Sequence, residues 1–176
     1  MLTFISHMTT LDVVFIIVWI VAIVWGVRTG IIRQVFALGS ILVAAVMGSA
    51  LARPASDWTG SISGAGRTAI LPWTYAFIVA LVVLIFYVIT LKTYPVTRLA
   101  NHTVIDRVSG GVMGFFVGLV GITQTVAILL MLTNGSWAIF DGARVAVRAQ
   151  LGETPFLPLV AETFSIITSA IENLLP

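Results

Sequence analysis

The sequence predicts an all-α membrane protein with four transmembrane helices and a C-terminal amphipathic helix. Hydrophobic residues make up 59% of the 176 residues, charged residues make up only 9%, and the mean hydropathy is +1.11. A soluble domain has about 25% charged residues, so this chain has too few polar side chains to cover a water-soluble globule. The composition therefore excludes a cytosolic enzyme, a disordered protein and a collagen-like fibre. We expect the chain to lie in a lipid bilayer, which is its first predicted partner.

Four long intervals without a charged residue locate the membrane-spanning helices. These intervals are Val13–Val27, Gln34–Ala52, Thr68–Leu91 and Val108–Phe140. A helix needs about 20 mainly apolar residues to cross a bilayer, and these runs are continuous rather than alternating as in porin strands. We therefore predict an N-terminal tail over residues 1–10 and a membrane domain over residues 11–133. Its helices are predicted over about residues 11–28, 33–53, 71–92 and 108–132.

The connections between the predicted spans differ in kind. Arg28–Arg33 is a tight hairpin turn, in which Gly26 and Gly30 permit a sharp reversal of the chain. Pro54–Leu71 is rich in Gly and Ser and is predicted to be a loop. Lys92–Asp106 is a mixed polar connection.

Residues 134–176 form a C-terminal tail in which one amphipathic helix is predicted over residues 156–175. Its apolar residues recur every three or four positions, as on one face of a helix: Leu157, Val160, Phe164, Ile167, Ile171 and Leu174. The polar face has no Lys or Arg, whereas a helix that lies on anionic lipid is usually basic. We therefore expect this helix to pack on its own bundle or on another copy of the chain.

The distribution of basic residues predicts that both termini lie outside the cytoplasm. Five basic residues flank the first and third connections: Arg28, Arg33, Lys92, Arg98 and Arg107. Four flank the second connection or follow the last span: Arg53, Arg67, Arg144 and Arg148. The more basic side of a membrane protein is cytoplasmic. The first ten residues contain no Lys or Arg, so no cleavable signal peptide is predicted, and Met8 is an alternative start to Met1.

Small residues on two of the spans indicate close helix packing. Gly110, Gly114 and Gly118 stand four residues apart on one face of the fourth span. Helices associate in a membrane through close contact, and glycine lets two backbones approach each other. The second span offers a possible partner face, because small residues repeat there at the same spacing: Ser40, Ala44, Gly48 and Ala52. We predict contact between helices of one chain, and a subunit interface is the alternative.

Charged residues near the first turn and the start of the fourth span predict a cytoplasmic electrostatic cluster of Arg28, Arg33, Asp106 and Arg107. A carboxylate at a helix start accepts backbone N–H bonds and lies at the positive end of the helix dipole. The alternative for Asp106 is an ion pair with Arg28 or Arg33. The alternative for the two arginines of the turn is a contact with a lipid headgroup or a partner protein.

The sequence carries no pattern typical of catalysis. It has no cysteine, and its two histidines lie outside the spans, so we expect neither a metal site nor a cofactor. Its few scattered basic residues make no nucleic-acid footprint. Away from their ends the spans contain no Asp, Glu, Lys, Arg or His, although transporters and proton relays place such groups at membrane depth. We therefore expect no enzyme. Gln124 and Thr125 are polar residues inside the fourth span, and a hydrogen bond between helices is the default interpretation.

Three short motifs resemble those of the colicin V production protein (CvpA) family. They are Thr10-Leu11-Asp12 at the first span, Gly26-x-x-x-Gly30 at the first turn, and Asp106-Arg107-x-x-Gly110 running into Gly114 and Gly118. The resemblance covers roughly residues 9–150. It implies a bacterial inner-membrane protein with about four spans, tied to production or export of the toxin colicin V and to tolerance of envelope stress. Some relatives carry a similar membrane region fused to an extracytoplasmic serine protease domain, which implies a C-terminus outside the cytoplasm.

These observations predict a non-enzymatic scaffold or accessory factor of the bacterial cytoplasmic membrane, with a role in envelope homeostasis and colicin V production or export. We expect the protein to form homo-oligomers, and envelope or secretion proteins are its possible partners. The alternative is an oligomeric passive channel or a transport accessory subunit, since pores are lined by backbone and hydroxyl groups as well as by charges. That alternative predicts a polar lumen that contains Gln124 and Thr125.

Overall fold

The computed structural model describes residues 9–64, 66–93, 103–134, 141–154 and 162. These residues form helices and contain no strand, which confirms the predicted all-α class. The helices follow one another along the chain: α1 (Thr10–Thr29), α2 (Ile31–Ser63), α3 (Arg67–Thr93), α4 (Thr103–Asn134) and α5 (Asp141–Glu153). The first four are each long and apolar enough to cross a membrane.

The four long helices pack as two pairs, one of consecutive helices and one of the first helix with the last. α1 lies mainly against α4, and α2 lies mainly against α3. A further contact between α2 and α4 joins the two pairs. The α1–α4 pair continues into α5, because Phe15, Ile122, Val126 and Leu151 share one apolar core. A second core lies between α2 and α3.

Most of the apolar surface of the bundle faces outward. Only 17–28% of the most apolar window of each long helix is buried inside the structure. Large side chains such as Ile17, Trp73 and Phe77 are more than half exposed. An exposed apolar surface on every side is unstable in water but matches the hydrocarbon core of a bilayer. The chain is therefore a multi-pass membrane protein.

Helix α2 is much longer than predicted, and the Gly/Ser-rich loop predicted over Pro54–Leu71 is largely helical. α2 runs through Pro54 to Ser63 and ends at Gly64, whose φ of 68° is left-handed. Ser and Thr hydroxyls in this segment donate to carbonyls of the same helix, as Ser56 does to Arg53 at 2.8 Å. These hydroxyls therefore bond within the helix and do not compete with its backbone hydrogen bonds. For this reason the abundance of Ser and Thr led to the wrong prediction of a loop.

The tail contains a helix that was not predicted. α5 covers Asp141–Glu153, and Leu151 at its end is 1% exposed. Its large apolar residues are only Val145, Val147 and Leu151, and Arg144 and Arg148 interrupt the pattern, so periodicity did not reveal this helix. The amphipathic helix predicted over residues 156–175 lies outside the described residues, apart from residue 162.

Candidate functional site

The glycine face of α4 packs against the backbone of α1. A Cβ atom built on Gly114 would lie 2.6 Å from the carbonyl oxygen of Ala22, and one built on Gly110 would meet the carbonyl oxygen of Gly26. Real Cβ atoms do not come so close to backbone atoms. The two helices are therefore in backbone contact over one turn of α4, and this spacing requires glycine.

One turn further along α4, an aromatic side chain replaces backbone as the neighbour. A Cβ atom on Gly118 would lie 2.5 Å from Cδ1 of Trp19. The indole Nε1 of Trp19 donates to the carbonyl oxygen of Phe115 at 2.9 Å, and the centroids of these two rings are 4.7 Å apart. Gly118 therefore makes room for the ring whose hydrogen bond ties α1 to α4.

The small residues of α2 lie against α3, whereas the glycine face of α4, their possible partner in the sequence analysis, lies against α1. Ala44, Gly48 and Ala52 are buried against α3 instead. A Cβ atom on Gly48 would lie 2.8 Å from Cε2 of Tyr75 and 2.9 Å from Cγ2 of Val79. Large side chains of α3 fill the space beside the small residues of α2. The bundle therefore has two separate interfaces built on small residues.

A carboxylate from α4 caps the start of α2 at the hairpin turn. Gly30 separates α1 from α2 with a φ of 83°, and it has no side chain with which to cap α2. Oδ1 of Asp106 accepts a hydrogen bond from the Ile31 amide at 3.0 Å, and Asp106 is 3% exposed. A Cβ atom on Gly30 would lie 2.8 Å from this Oδ1. Gly30 therefore provides both the positive-φ backbone of the turn and the space for the carboxylate.

The arginines of the predicted electrostatic cluster lie at the same end of the bundle as Asp106 but differ in burial. Arg28 and Arg107 are exposed, whereas Arg33 is partly buried. Nε of Arg33 is buried and has no hydrogen-bond partner among the described residues. Asp106 was predicted to cap its own helix or to pair with an arginine, but its described hydrogen bond runs to the first amide of α2.

A second buried carboxylate ties the other end of α1 to the tail. Asp12 is fully buried and forms a capping box with Thr9, whose backbone amide donates to Oδ2 at 2.7 Å. Oδ1 of Asp12 accepts a hydrogen bond from the hydroxyl of Thr154, which follows α5. The sequence gave no signal for the contact with Thr154, because residues 141–153 were not predicted to form a helix.

A buried hydrogen bond joins α4 to α3. Nε2 of Gln124 donates a hydrogen bond to the hydroxyl of Tyr75, and both residues are buried. The neighbouring Thr125 is exposed, and its hydroxyl donates to the Gly121 carbonyl of the same helix at 2.8 Å. The structure thus places the two residues of the predicted lumen in different surroundings.

These interhelical contacts involve the residues of the motifs noted in the sequence, and a comparison with protein families decides what the chain is. The family model described as Colicin V production protein matches residues 11–163. The chain belongs to the colicin V production protein family. Comparisons with curated proteins and with solved structures returned no match.

The match to the colicin V production protein family spans all five helices of the described bundle except the first residue of α1. It begins at Leu11, next to the buried Asp12, and extends beyond the end of α5 at Glu153. It therefore includes the turn at Gly30, the capping Asp106 and the glycine face of α4. Among the described residues no group of three or more His, Cys, Asp or Glu could hold a metal ion.

We predict that the hydrogen bond between Tyr75 and Gln124 couples α3 to α4 in this family member. In a double-mutant cycle of Tyr75→Phe and Gln124→Leu, the coupling energy should lie between about 0.6 and about 1.7 kcal/mol, the mean and the maximum for hydrogen bonds between membrane helices. The free energy of unfolding in mixed detergent micelles measures it. Thr125→Val is the control and should show no coupling with Tyr75→Phe. Additive effects of Tyr75→Phe and Gln124→Leu would contradict the prediction.

Proposed function

We propose that this chain is a non-enzymatic scaffold of the bacterial inner membrane that supports colicin V production or export and envelope homeostasis. Membership of the family suggests a role in colicin V production. The scaffold role is supported by how the buried polar groups of the described bundle are used. The described hydrogen bonds of Asp106, Asp12 and Gln124 each run to another part of the same chain.

The observation that carries this proposal is the backbone contact of α1 with α4 at Gly110 and Gly114. The spacing between two helices packed in this way does not change gradually, because their backbones already touch and leave no room for an added Cβ atom. The contact therefore holds α1 at a fixed distance from α4, and the cap at Asp106 holds the start of α2 beside them. A rigid bundle of this kind suits a protein that presents a constant surface to partners.

Orientation and self-association belong to the same proposal. The excess of basic residues at the first and third connections supports a cytoplasmic location for the Gly30 turn, with both termini outside the cytoplasm. We further propose that the protein forms homo-oligomers and contacts envelope or secretion proteins. Since the glycine face of α4 is occupied by α1, copies of the chain would meet through the exposed apolar faces of the helices.

A complementation experiment tests the scaffold proposal. In a bacterial strain that produces colicin V but lacks its own family member, this chain should restore the secreted toxin activity and the tolerance to envelope stress. Gly114→Ala, whose Cβ would meet the Ala22 carbonyl, should reduce both. Gly121→Ala on the same helix is the matched control, because its Cβ meets nothing within 4 Å. Equal complementation by both variants at equal membrane levels would argue against the proposal.

An oligomeric passive channel or transport accessory subunit is the alternative function, and flux measurements separate it from a scaffold. Two hydrogen bonds support the scaffold, because they use these polar groups within the bundle. Gln124 donates to Tyr75, and the Thr125 hydroxyl donates to the Gly121 carbonyl. Purified protein in liposomes should therefore give no conductance and no leakage of small solutes under an applied gradient. Solute flux that disappears in Gln124→Leu would favour the channel.

A further inference from the structure

A groove on the side of the bundle ends at Arg33, a partly buried residue whose Nε atom is fully buried. The groove is lined by residues of α1, α2 and α3 and by Val117 of α4, and it has a volume of about 350 Å³. This volume lies within the range of ligand sites, about 300–1,000 Å³. Val21 and Trp25 of α1 and Tyr87 of α3 line it and are each about half exposed. The groove is therefore open toward the surrounding lipid.

The lining of the groove is apolar except at one end. Ser40 and Thr90 line it, but their hydroxyls donate to carbonyls of their own helices, at 2.7 Å in each case. Thr29 likewise donates to the Trp25 carbonyl at 2.8 Å and accepts a hydrogen bond from Nε2 of Gln34 at 3.0 Å. These polar groups already have partners, so most of the groove suits a hydrocarbon chain.

Arg33 differs from these polar groups because its buried Nε has no hydrogen-bond partner among the described residues. A buried donor without a partner is costly, and a guanidinium group binds phosphate oxygens through paired donors. The neighbouring carboxylate at this end, Asp106, accepts from the Ile31 amide. The groove therefore combines a cationic end with an apolar body that is open to the membrane.

We infer that this groove binds an anionic phospholipid of the bilayer, with its phosphate on Arg33 and one acyl chain between α1 and α3. Charge complementarity selects the headgroup, because Arg33 is the charged residue among those that line the groove. Trp25 and Tyr87 at the opening are residue types that favour the level of the lipid headgroups. The inference is independent of the scaffold proposal, since it requires only the groove and Arg33.

Lipid titration of the full-length protein tests this site. Purified protein in a neutral detergent is titrated with phosphatidylglycerol or phosphatidylcholine, and bound lipid is counted by native mass spectrometry. Phosphatidylglycerol should bind about tenfold more tightly than phosphatidylcholine, and Arg33→Gln should remove this preference. Arg107→Gln is the matched control, because Arg107 is an exposed arginine at the same end that does not line the groove. It should keep the preference to within about twofold.

A second variant tests the acyl chain and remains informative if Arg33→Gln does not fold. Ala37→Trp places a ring in the groove and leaves Arg33 intact, so it should weaken phosphatidylglycerol binding about tenfold. Glycerol phosphate, which carries a phosphate but no acyl chain, should bind far more weakly than phosphatidylglycerol. Three results would overturn the inference: equal binding of both lipids to the unsubstituted protein, equal effects of Arg33→Gln and Arg107→Gln, or glycerol phosphate binding as tight as lipid binding.

Discussion

Replacing Gly110 by alanine should lower the free energy of unfolding by about 3 kcal/mol, the upper part of the range for overpacked interiors. The new methyl group would meet the carbonyl oxygen of Gly26 and would lie 3.0 Å from Cα of Gly30. Both neighbours are backbone, so a change of rotamer cannot relieve the clash and α1 must move away from α4. Unfolding of the purified protein in mixed detergent micelles measures the loss.

Gly121→Ala is the matched control for this substitution. Gly121 lies on the same helix, but a Cβ atom there meets nothing within 4 Å. Alanine also has a higher helix propensity than glycine, by up to about 1 kcal/mol. The control should therefore be neutral or slightly stabilising. If Gly110→Ala and Gly121→Ala changed the stability equally, the backbone contact would not be a determinant of stability.

Replacing Asp106 by alanine should cost about 2 kcal/mol, because it removes the cap of α2 and leaves the Ile31 amide without its acceptor. Asp106→Asn should cost less, since an amide oxygen still accepts from this N–H group. Amide hydrogen exchange gives a local readout, and Ile31 should exchange faster in Asp106→Ala than in the unsubstituted protein.

Arg107→Ala serves as the control for the capping prediction. Arg107 is adjacent to Asp106 in the chain but exposed, so its loss should change the stability by less than about 0.5 kcal/mol. Unchanged protection of the Ile31 amide in Asp106→Ala would show that the carboxylate is not the effective cap.

The sequence was sufficient to predict that helices approach closely, but not which helices meet. A repeat of small residues shows only that one face of a helix accepts a near neighbour. Gly48 on α2 and Gly114 on α4 carry this signal equally, yet Gly48 meets the ring of Tyr75 and Gly114 meets the backbone of α1. The partner depends on which large side chains face the groove, and this follows from the arrangement of the whole bundle.

The role of Asp106 shows a similar limit. Its position near the start of α4 predicted a helix cap, and a cap is what the structure contains. However, the N–H group that donates to Asp106 belongs to Ile31, which lies 75 residues earlier in the chain. Local sequence identifies the tendency of a carboxylate to bind helix amides, but it cannot identify a helix start that only tertiary packing brings near.

The pairing of α1 with α4 and of α2 with α3 has a consequence for biosynthesis. The ribosome must add every residue from Gly30 to the start of α4 at Thr103 before α1 can meet its partner. At about 5–20 residues per second this takes on the order of ten seconds. During that time the nascent α1 lies in the membrane without α4, and its backbone around Gly26 is uncovered. A chain that stalls before α4 emerges would keep this surface open, which gives chaperones and membrane proteases a way to recognise an unfinished molecule.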